Sequence, residues 1–205
     1  MKQAPKKSVA NARLRLLLIA ALFAAPMLVA YVLYYSGWRP ESVHPYGELV
    51  APPHLVADAE FTVFDRGTAR FSSLQHRWLL VYFGSSECTS ACESALYKIR
   101  QVIAAQNRGA HRVHGVMVLT DTRALDMLRY QLKDYPETTV LVGPPASVVR
   151  LAREFDVAAG SALAGLHRIY VVDPLGNFIM SYPADADPSG IRKDLTRLLR
   201  LSQIG

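Results

Sequence analysis

One pair of side chains in this sequence can both hold a soft metal and exchange electrons. Cys88 and Cys92 are the only cysteines in 205 residues, and they sit within VYFGSSECTSACESALYKIRQV. A run of strand formers precedes them and a helix-period sequence follows. Cys88 therefore falls at a loop-to-helix junction and Cys92 one turn up the helix, with both sulfurs on one side of its N-terminal end. Exposed N–H groups and the macrodipole favour anions there, which lowers thiol pKa values and promotes nucleophilic attack and metal ligation alike.

The elements that must position the pair can be read on either side of it. Trp78 to Phe83 (WLLVYF) is a continuous apolar run, the pattern of a central strand covered on both faces. Before it, Phe61 to Phe64 and Thr68 to Phe71 flank Asp65, Arg66 and Gly67, a hairpin signature with glycine where positive φ is needed. After the cysteines, Ala95, Leu96, Ile99, Val102 and Ile103 recur at helical spacing to about Gln106. Val113 to Thr120 is a second buried strand, and Asp121 or Thr122 is expected to cap a helix carrying Leu125, Leu128 and Leu132. Thr138 to Val142 is a third strand, and Pro144 and Pro145 start a helix with Val148, Leu151 and Phe155 in register. Asp173-Pro-Leu-Gly176 is a tight turn that makes Arg168 to Val172 and Asn177 to Tyr182 antiparallel neighbours. Asp187 and Pro188 open a last helix with Ile191, Leu195, Leu198 and Leu199 inward and Arg192, Lys193, Arg197 and Arg200 outward.

The formal charge is +6, but Lys2, Lys6, Lys7, Arg13 and Arg15 precede any acid and leave only +1 for the remainder. A basic tag rather than a basic domain surface removes the main support for nucleic-acid binding. Leu16 to Tyr35 is uncharged, about the length that crosses a hydrocarbon core of ~30 Å. Basic residues before it and Tyr34, Tyr35 and Trp38 at its far edge orient the N-terminus to the cytoplasm. Residues 1–15 are thus expected as a cytoplasmic basic tail, 16–37 as a transmembrane anchor and 38–58 as an extended linker. The linker holds Pro40, Pro45, Pro52 and Pro53, and its His44 and His54 are expected to be solvated. One folded domain spans 59–205.

The order of strands and helices, with a cysteine pair where a central strand hands over to its helix, resembles the thioredoxin fold. Within it the sequence is similar to the Sco family of copper-binding cytochrome oxidase assembly proteins. The shared features are the anchor, the hairpin, Phe83-Gly84 leading to Cys88 and Cys92, and Tyr170 to Gly176 as Y-x-x-D-P-x-G. The GWRP and GELV segments and YVVDPLGNFIMSYP also resemble small membrane proteins that accompany bacterial haem-copper oxidase subunits. The resemblance implies an α/β, thioredoxin-like domain: a central mixed sheet with flanking helices and an N-terminal β-hairpin, preceded by one transmembrane helix. It implies Cu(I) held by Cys88, Cys92 and a histidine, with a cytochrome c oxidase subunit or another membrane-bound cuproprotein as partner. It also places the protein in a bacterial inner membrane, single-pass, with the C-terminal domain periplasmic.

Two departures stand out. Thr89 and Glu93 replace the prolines usual around such cysteines, and Gly165 stands where the family has its third ligand. His167 is two residues further on, which in extended chain keeps the same face and moves the side chain about 7 Å.

Two thiolates and an imidazole form a compact soft site suited to Cu(I), and closing the pair to a disulfide releases the metal. Cysteines four apart on a helical turn are expected near the upper end of the usual Cα separation for a disulfide, giving a strained, easily reduced bridge. Three functions stay open: a Cu(I) delivery chaperone, a thiol-disulfide oxidoreductase using Cys88 and Cys92, and a non-catalytic assembly adaptor. Whether the protein is an enzyme is left undecided. The sequence has no G-x-S-x-G, P-loop or H-x-x-x-H helix.

Overall fold

The structure is a computed structural model that describes residues 7–36, 45–64 and 67–202. The tail residues before Lys7, together with Trp38, His44 and the Asp65-Arg66 turn, lie outside the described residues. The chain divides into two units, residues 1–44 and 45–205. The first carries helix α1 (Lys7–Tyr35), of which Asn11–Tyr35 is long and apolar enough to cross a membrane, with Pro26 inside it.

The second unit is a mixed sheet with helices on both faces. Its strands are β1 (Glu48–Leu55), β2 (Glu60–Val63), β3 (Gly67–Arg70), β4 (Trp78–Gly84), β5 (Val113–Leu119), β6 (Thr138–Val142), β7 (Ile169–Val172) and β8 (Asn177–Tyr182). Helix α2 (Ser90–Ala104) follows β4, α3 (Leu125–Gln131) follows β5, α4 (Pro145–Arg153) follows β6, and α5 (Pro188–Leu201) follows β8. The strand order is β1-β8-β7-β4-β5-β6-β2-β3. β4 pairs in parallel with β5 and antiparallel with β7, and the β2–β3 hairpin forms as its turn chemistry predicts, with Gly67 at φ +95°.

Every residue of β4 is buried. Strand alternation sends Leu80 and Tyr82 into the layer with Leu96 and Ile99 of α2 and Ile191 and Leu195 of α5. Leu79, Val81 and Phe83 go to the opposite layer with Val148 and Leu151 of α4 and Phe155. The apolar run that marked a doubly covered strand is thus packed from both sides.

Four expectations are corrected. The stretch 38–58 is not a tether throughout, because Glu48–Leu55 joins the sheet antiparallel to β8. Pro52 and Pro53 hid this strand, but it lies at the sheet edge, where a missing N–H is tolerated, and its register breaks between Leu49 and His54. His54 is only partly exposed rather than a free linker side chain: its ring meets Phe178 edge-on and Nε2 lies 2.8 Å from the Glu154 carbonyl. Neither Asp121 nor Thr122 caps α3, whose N-cap is Ala124 without a side-chain bond. The fourth correction concerns the cysteine spacing and is taken up with the site.

At α5 the sequence signal holds, since Asp187 accepts from the Ser189 amide and Pro188 begins the helix. Asp194, buried on α5, accepts from the Tyr46 amide (2.7 Å), the Gly47 amide (3.0 Å) and the Tyr182 hydroxyl (3.2 Å). This fastens the segment leading into β1 across the last helix.

Candidate functional site

The site lies beyond the C-terminal ends of the parallel strands β4 and β5, the usual place for chemistry in such sheets. After Gly84 the chain turns through Ser85 to Glu87, with the Cys88 amide bonded to the Ser85 carbonyl at 3.2 Å. Cys88 has φ +37°, in the left-handed region, and sits just ahead of the N-cap Thr89. Cys92 is in the first turn of α2. The two are joined by a disulfide with a Cα separation of 5.0 Å.

That separation corrects the expectation of a wide bridge. Cys88 is not on the helix, and its left-handed backbone turns it back toward Cys92. Both cysteines are also 3% exposed or less, inside the layer that holds Tyr82, Leu96 and Ile99.

The loop is fixed from β5. Ser86, fully buried, donates to Asp121 Oδ1 at 2.6 Å and accepts from the Ala124 amide at 2.9 Å. Asp121 further accepts from the Arg123 amide and guanidinium, both at 3.3 Å. Burial opposes ionisation of Asp121, but the hydrogen bonds from Ser86, Ser85 and Arg123 outweigh it and hold the carboxyl well below the usual range. On the α2 side Gln131 of α3 donates to Glu93 at 2.8 Å.

His167 reaches the same end of the sheet by register. β7 runs antiparallel to β4 with Ile169 opposite Tyr82, so the residues just before β7 come level with the loop that leaves β4. His167 has φ +49° and follows Gly165 at φ +70°. Its Nδ1 is 2.7 Å from the Tyr82 hydroxyl, and the two rings lie side by side and nearly parallel, with centroids 6.2 Å apart and 20° between planes. Burial pushes the Tyr82 hydroxyl up to about 12, so it is neutral at ordinary pH. His167 also borders a cavity of about 300 Å³ with Gly84, Ser85, Thr120 and Pro145. With the sulfurs bonded to each other, the described residues contain no group of three His, Cys, Asp or Glu side chains arranged to hold a metal.

A strand followed by a cysteine loop and a helix N-terminus, in a sheet with antiparallel β7 and β8 beside it, is the thioredoxin-like arrangement. The family model described as transmembrane-like, thioredoxin-like, C-terminal domain matches residues 78–202, more than half of the chain. The chain belongs to this family. No curated protein sequence matches it. Among solved structures it is similar to Bradyrhizobium japonicum ScoI with copper bound, at 20% identity and TM-score 0.57 over 70% of this chain and 99% of that one. It is also similar to BsSco, a member of the Sco family of cytochrome c oxidase assembly proteins in which a disulfide switch was identified. There the identity is 15% and the TM-score 0.57, covering 76% of this chain and 99% of that one. The thioredoxin domain of a thiol-disulfide oxidoreductase from Bacteroides vulgatus is as similar, at 14% identity and TM-score 0.57 over 73% and 99%. At these identities the likeness is one of fold.

Within this transmembrane-like, thioredoxin-like domain, sequence reasoning singled out Cys88, Cys92 and His167, of which the structure bridges the first two and sets the third against Tyr82, and it passed over Tyr82, Ser86 and Asp121. Tyr82 was visible only as one ring in an apolar run. Its signal was the hydroxyl, which in a strand buried on both faces has to find an internal partner.

Proposed function

We propose that this chain is a membrane-anchored thioredoxin-like protein that aids assembly of a respiratory haem-copper oxidase by binding Cu(I) at Cys88 and Cys92 and delivering it. His167 supplies the third ligand, and copper is the cargo. The observation that carries this reading is that the only two cysteines are bridged just beyond Tyr82, the strand residue that holds His167. Two soft sulfurs and an imidazole suit Cu(I), and the copper-bound and oxidase-assembly relatives of the same fold support it. Opening the disulfide takes two electrons from a thiol reductant, so reduction precedes loading; closing the bridge again, by exchange with an oxidised disulfide that takes the two electrons and becomes a dithiol, releases the metal.

The anchor is α1, with its basic N-terminal tail in the cytoplasm and everything after Trp38 in the periplasm of a bacterial inner membrane. A C-terminal reporter active only in the cytoplasm overturns that orientation. The recipient is a membrane-bound cuproprotein such as an oxidase subunit.

Anaerobic Cu(I) titration of the reduced full-length protein, with thiols counted before and after, tests the cargo. One tight equivalent that shields both thiols is the expected result, and no retained copper overturns it. His167→Ala keeps both thiols and lowers Cu(I) affinity by roughly tenfold or more.

Equal affinity in His167→Ala and wild type favours the second reading, thiol-disulfide exchange, which the closed Cys88–Cys92 bridge also supports. In that case Cys88, outside the helix and next to its N-terminus, is the attacking thiolate, and Cys88→Ser abolishes reduction of a disulfide substrate.

A further inference from the structure

Charge is spread unevenly over the domain. The chain carries +6 in all and only +1 once Lys2, Lys6, Lys7, Arg13 and Arg15 are set aside, yet no acid occurs between Glu93 and Asp121. From Pro188 to the C-terminus the one acid is Asp194, which is buried and occupied by the Tyr46 and Gly47 amides and the Tyr182 hydroxyl. The fold brings these two acid-free stretches together. Thr196 donates to Gln106, Gln106 donates to the Arg192 carbonyl, and Arg112 donates to the Leu199 and Ser202 carbonyls. One face results, built by α5 and the short turn Asn107–Arg112, with Arg108, Arg192, Lys193, Arg197 and Arg200 exposed on it. A cavity of about 430 Å³ between the turn and α5 is bordered by Arg112, Arg192 and Arg200. Arg112 already covers the last carbonyls of α5, so the negative end of that helix does not oppose an anion there. The nearby exposed acids Asp185 and Asp187 stand at the start of α5 instead.

The chain also enters the domain at this helix. Besides the Asp194 bonds, Lys193 donates to the Tyr46 hydroxyl at 3.1 Å. Residues 37–44 join Ser36, at the end of α1, to Pro45, and even fully extended they span at most about 30 Å. With α1 in a bilayer, α5 cannot leave the neighbourhood of the membrane surface.

We propose that this basic face docks on the anionic phospholipid headgroups of the membrane that holds α1, with a lipid phosphate seated between Arg192 and Arg200. Guanidinium groups take phosphate oxygens in pairs, and the cavity beside them is lined for that chemistry. A tether this short keeps the local lipid concentration high, so an attraction that would be weak between free molecules suffices. The cysteine pair lies at the other end of α2, and the helix rises about 18 Å from Cys92 to Ala104. Docking therefore leaves the cysteine loop clear of the headgroups and open to a partner. This rests on α1 as a membrane anchor and is independent of copper and of which leaflet the domain faces.

The test uses full-length, isotope-labelled protein in nanodiscs of phosphatidylcholine, with or without phosphatidylglycerol, each doped with a trace of lipid carrying gadolinium at its headgroup. With phosphatidylglycerol present, amide signals of Gln106 to Arg112 and Arg192 to Arg200 should broaden severalfold more than those of the cysteine loop and α4. That excess should vanish in phosphatidylcholine alone, at high salt, and in Arg192→Gln/Arg200→Gln. It should persist in Arg150→Gln/Arg153→Gln, which removes the same charge from α4 on the opposite layer. All four side chains are exposed, so the fold is kept. An excess that survives in phosphatidylcholine or in Arg192→Gln/Arg200→Gln overturns the proposal. Uniform broadening overturns it too, and is the result expected if an acidic protein covers this face. A chain that does not co-elute with the discs defeats the anchor reading, and sedimentation with phosphatidylglycerol vesicles then decides the face. Retention that Arg192→Gln/Arg200→Gln loses sustains the proposal, and equal retention or none overturns it.

Discussion

Asp121 and Asp194 each gather hydrogen bonds from a segment that would otherwise be loose, yet they govern different things. Asp194 is buried and takes two backbone amides, from Tyr46 and Gly47, and the Tyr182 hydroxyl. Those donors come from a segment 148 residues away in sequence and from β8, so the carboxylate welds β1 to the sheet and to α5. The ring of Tyr46 rests on Gly190, where a Cβ would come within 2.8 Å of it. Asp121 is only half-buried and is satisfied by Ser86 and Arg123 beside the cysteine loop. One carboxylate fixes architecture far from the sulfurs, and the other fixes the loop on which the sulfurs stand. If that division is right, stability and copper chemistry respond to different substitutions.

The largest effect is expected at the sulfurs. On the Cu(I) reading proposed above, Cys88→Ser or Cys92→Ser removes one of the two thiolates of the reduced pair, so Cu(I) retention is expected to fall by orders of magnitude. The closed loop is short, so losing the bridge costs only about 2 kcal/mol of stability. Hydrogen exchange at Tyr46 to Leu55 should stay as slow as in wild type. Faster exchange there breaks the comparison by linking the two ends of the domain.

The reverse substitution is Asp194→Ala. It leaves two buried donors, the Gly47 amide and the Tyr182 hydroxyl, and the part-buried Tyr46 amide without an acceptor, which costs about 3 kcal/mol. Urea unfolding reads that loss, and exchange at Tyr46 to Leu55 reads the release of β1. Reduced protein should still bind one Cu(I) with both thiols shielded, and loss of copper binding would show that β1 and α5 support the site after all.

The same division explains what could be read from sequence. Periodicity and turn chemistry are local, so the apolar run of β4, the Gly67 hairpin, the Asp173 to Gly176 turn and the Asp187-Pro188 helix start were all legible. The pairing of β1 with β8 was not, because two prolines obscure any strand pattern and an edge position is a tertiary fact. His54 was misread for the same reason, since its partners Glu154 and Phe178 lie a hundred residues and more further on. Asp121 was read as a helix cap because residue type and position fitted, but the helix begins at Leu125 and the carboxylate turned to Ser86 instead. The cysteine pair was legible in place but not in burial. That burial follows from the left-handed turn at Cys88, which a non-glycine residue does not announce. His167 and Tyr82 are 85 residues apart and meet only through the β4–β7 register.

The smallest expected effect sharpens the Asp121 side of the comparison. Asp121→Asn keeps the shape and removes the charge, weakening the bonds from Ser86 and Arg123 by about 1–2 kcal/mol at neutral pH. The sign with pH follows from the lowered carboxyl. Its folded pKa lies below its unfolded one, so the ionised form contributes stability above the ordinary carboxylate range, and that contribution is lost as pH falls through the folded value. The gap in unfolding free energy between wild type and Asp121→Asn should therefore be widest above about pH 4 and close as the solution is acidified below it. Asp58 and Asp187 are also held low, but they are common to both proteins and cancel in the difference. The loop should loosen in step, so the Cys88–Cys92 bridge of Asp121→Asn is reduced faster by a small thiol than that of wild type. A pH-independent gap would mean that Asp121 is not the charge that holds Ser86, and an unchanged reduction rate would mean that the loop does not need it.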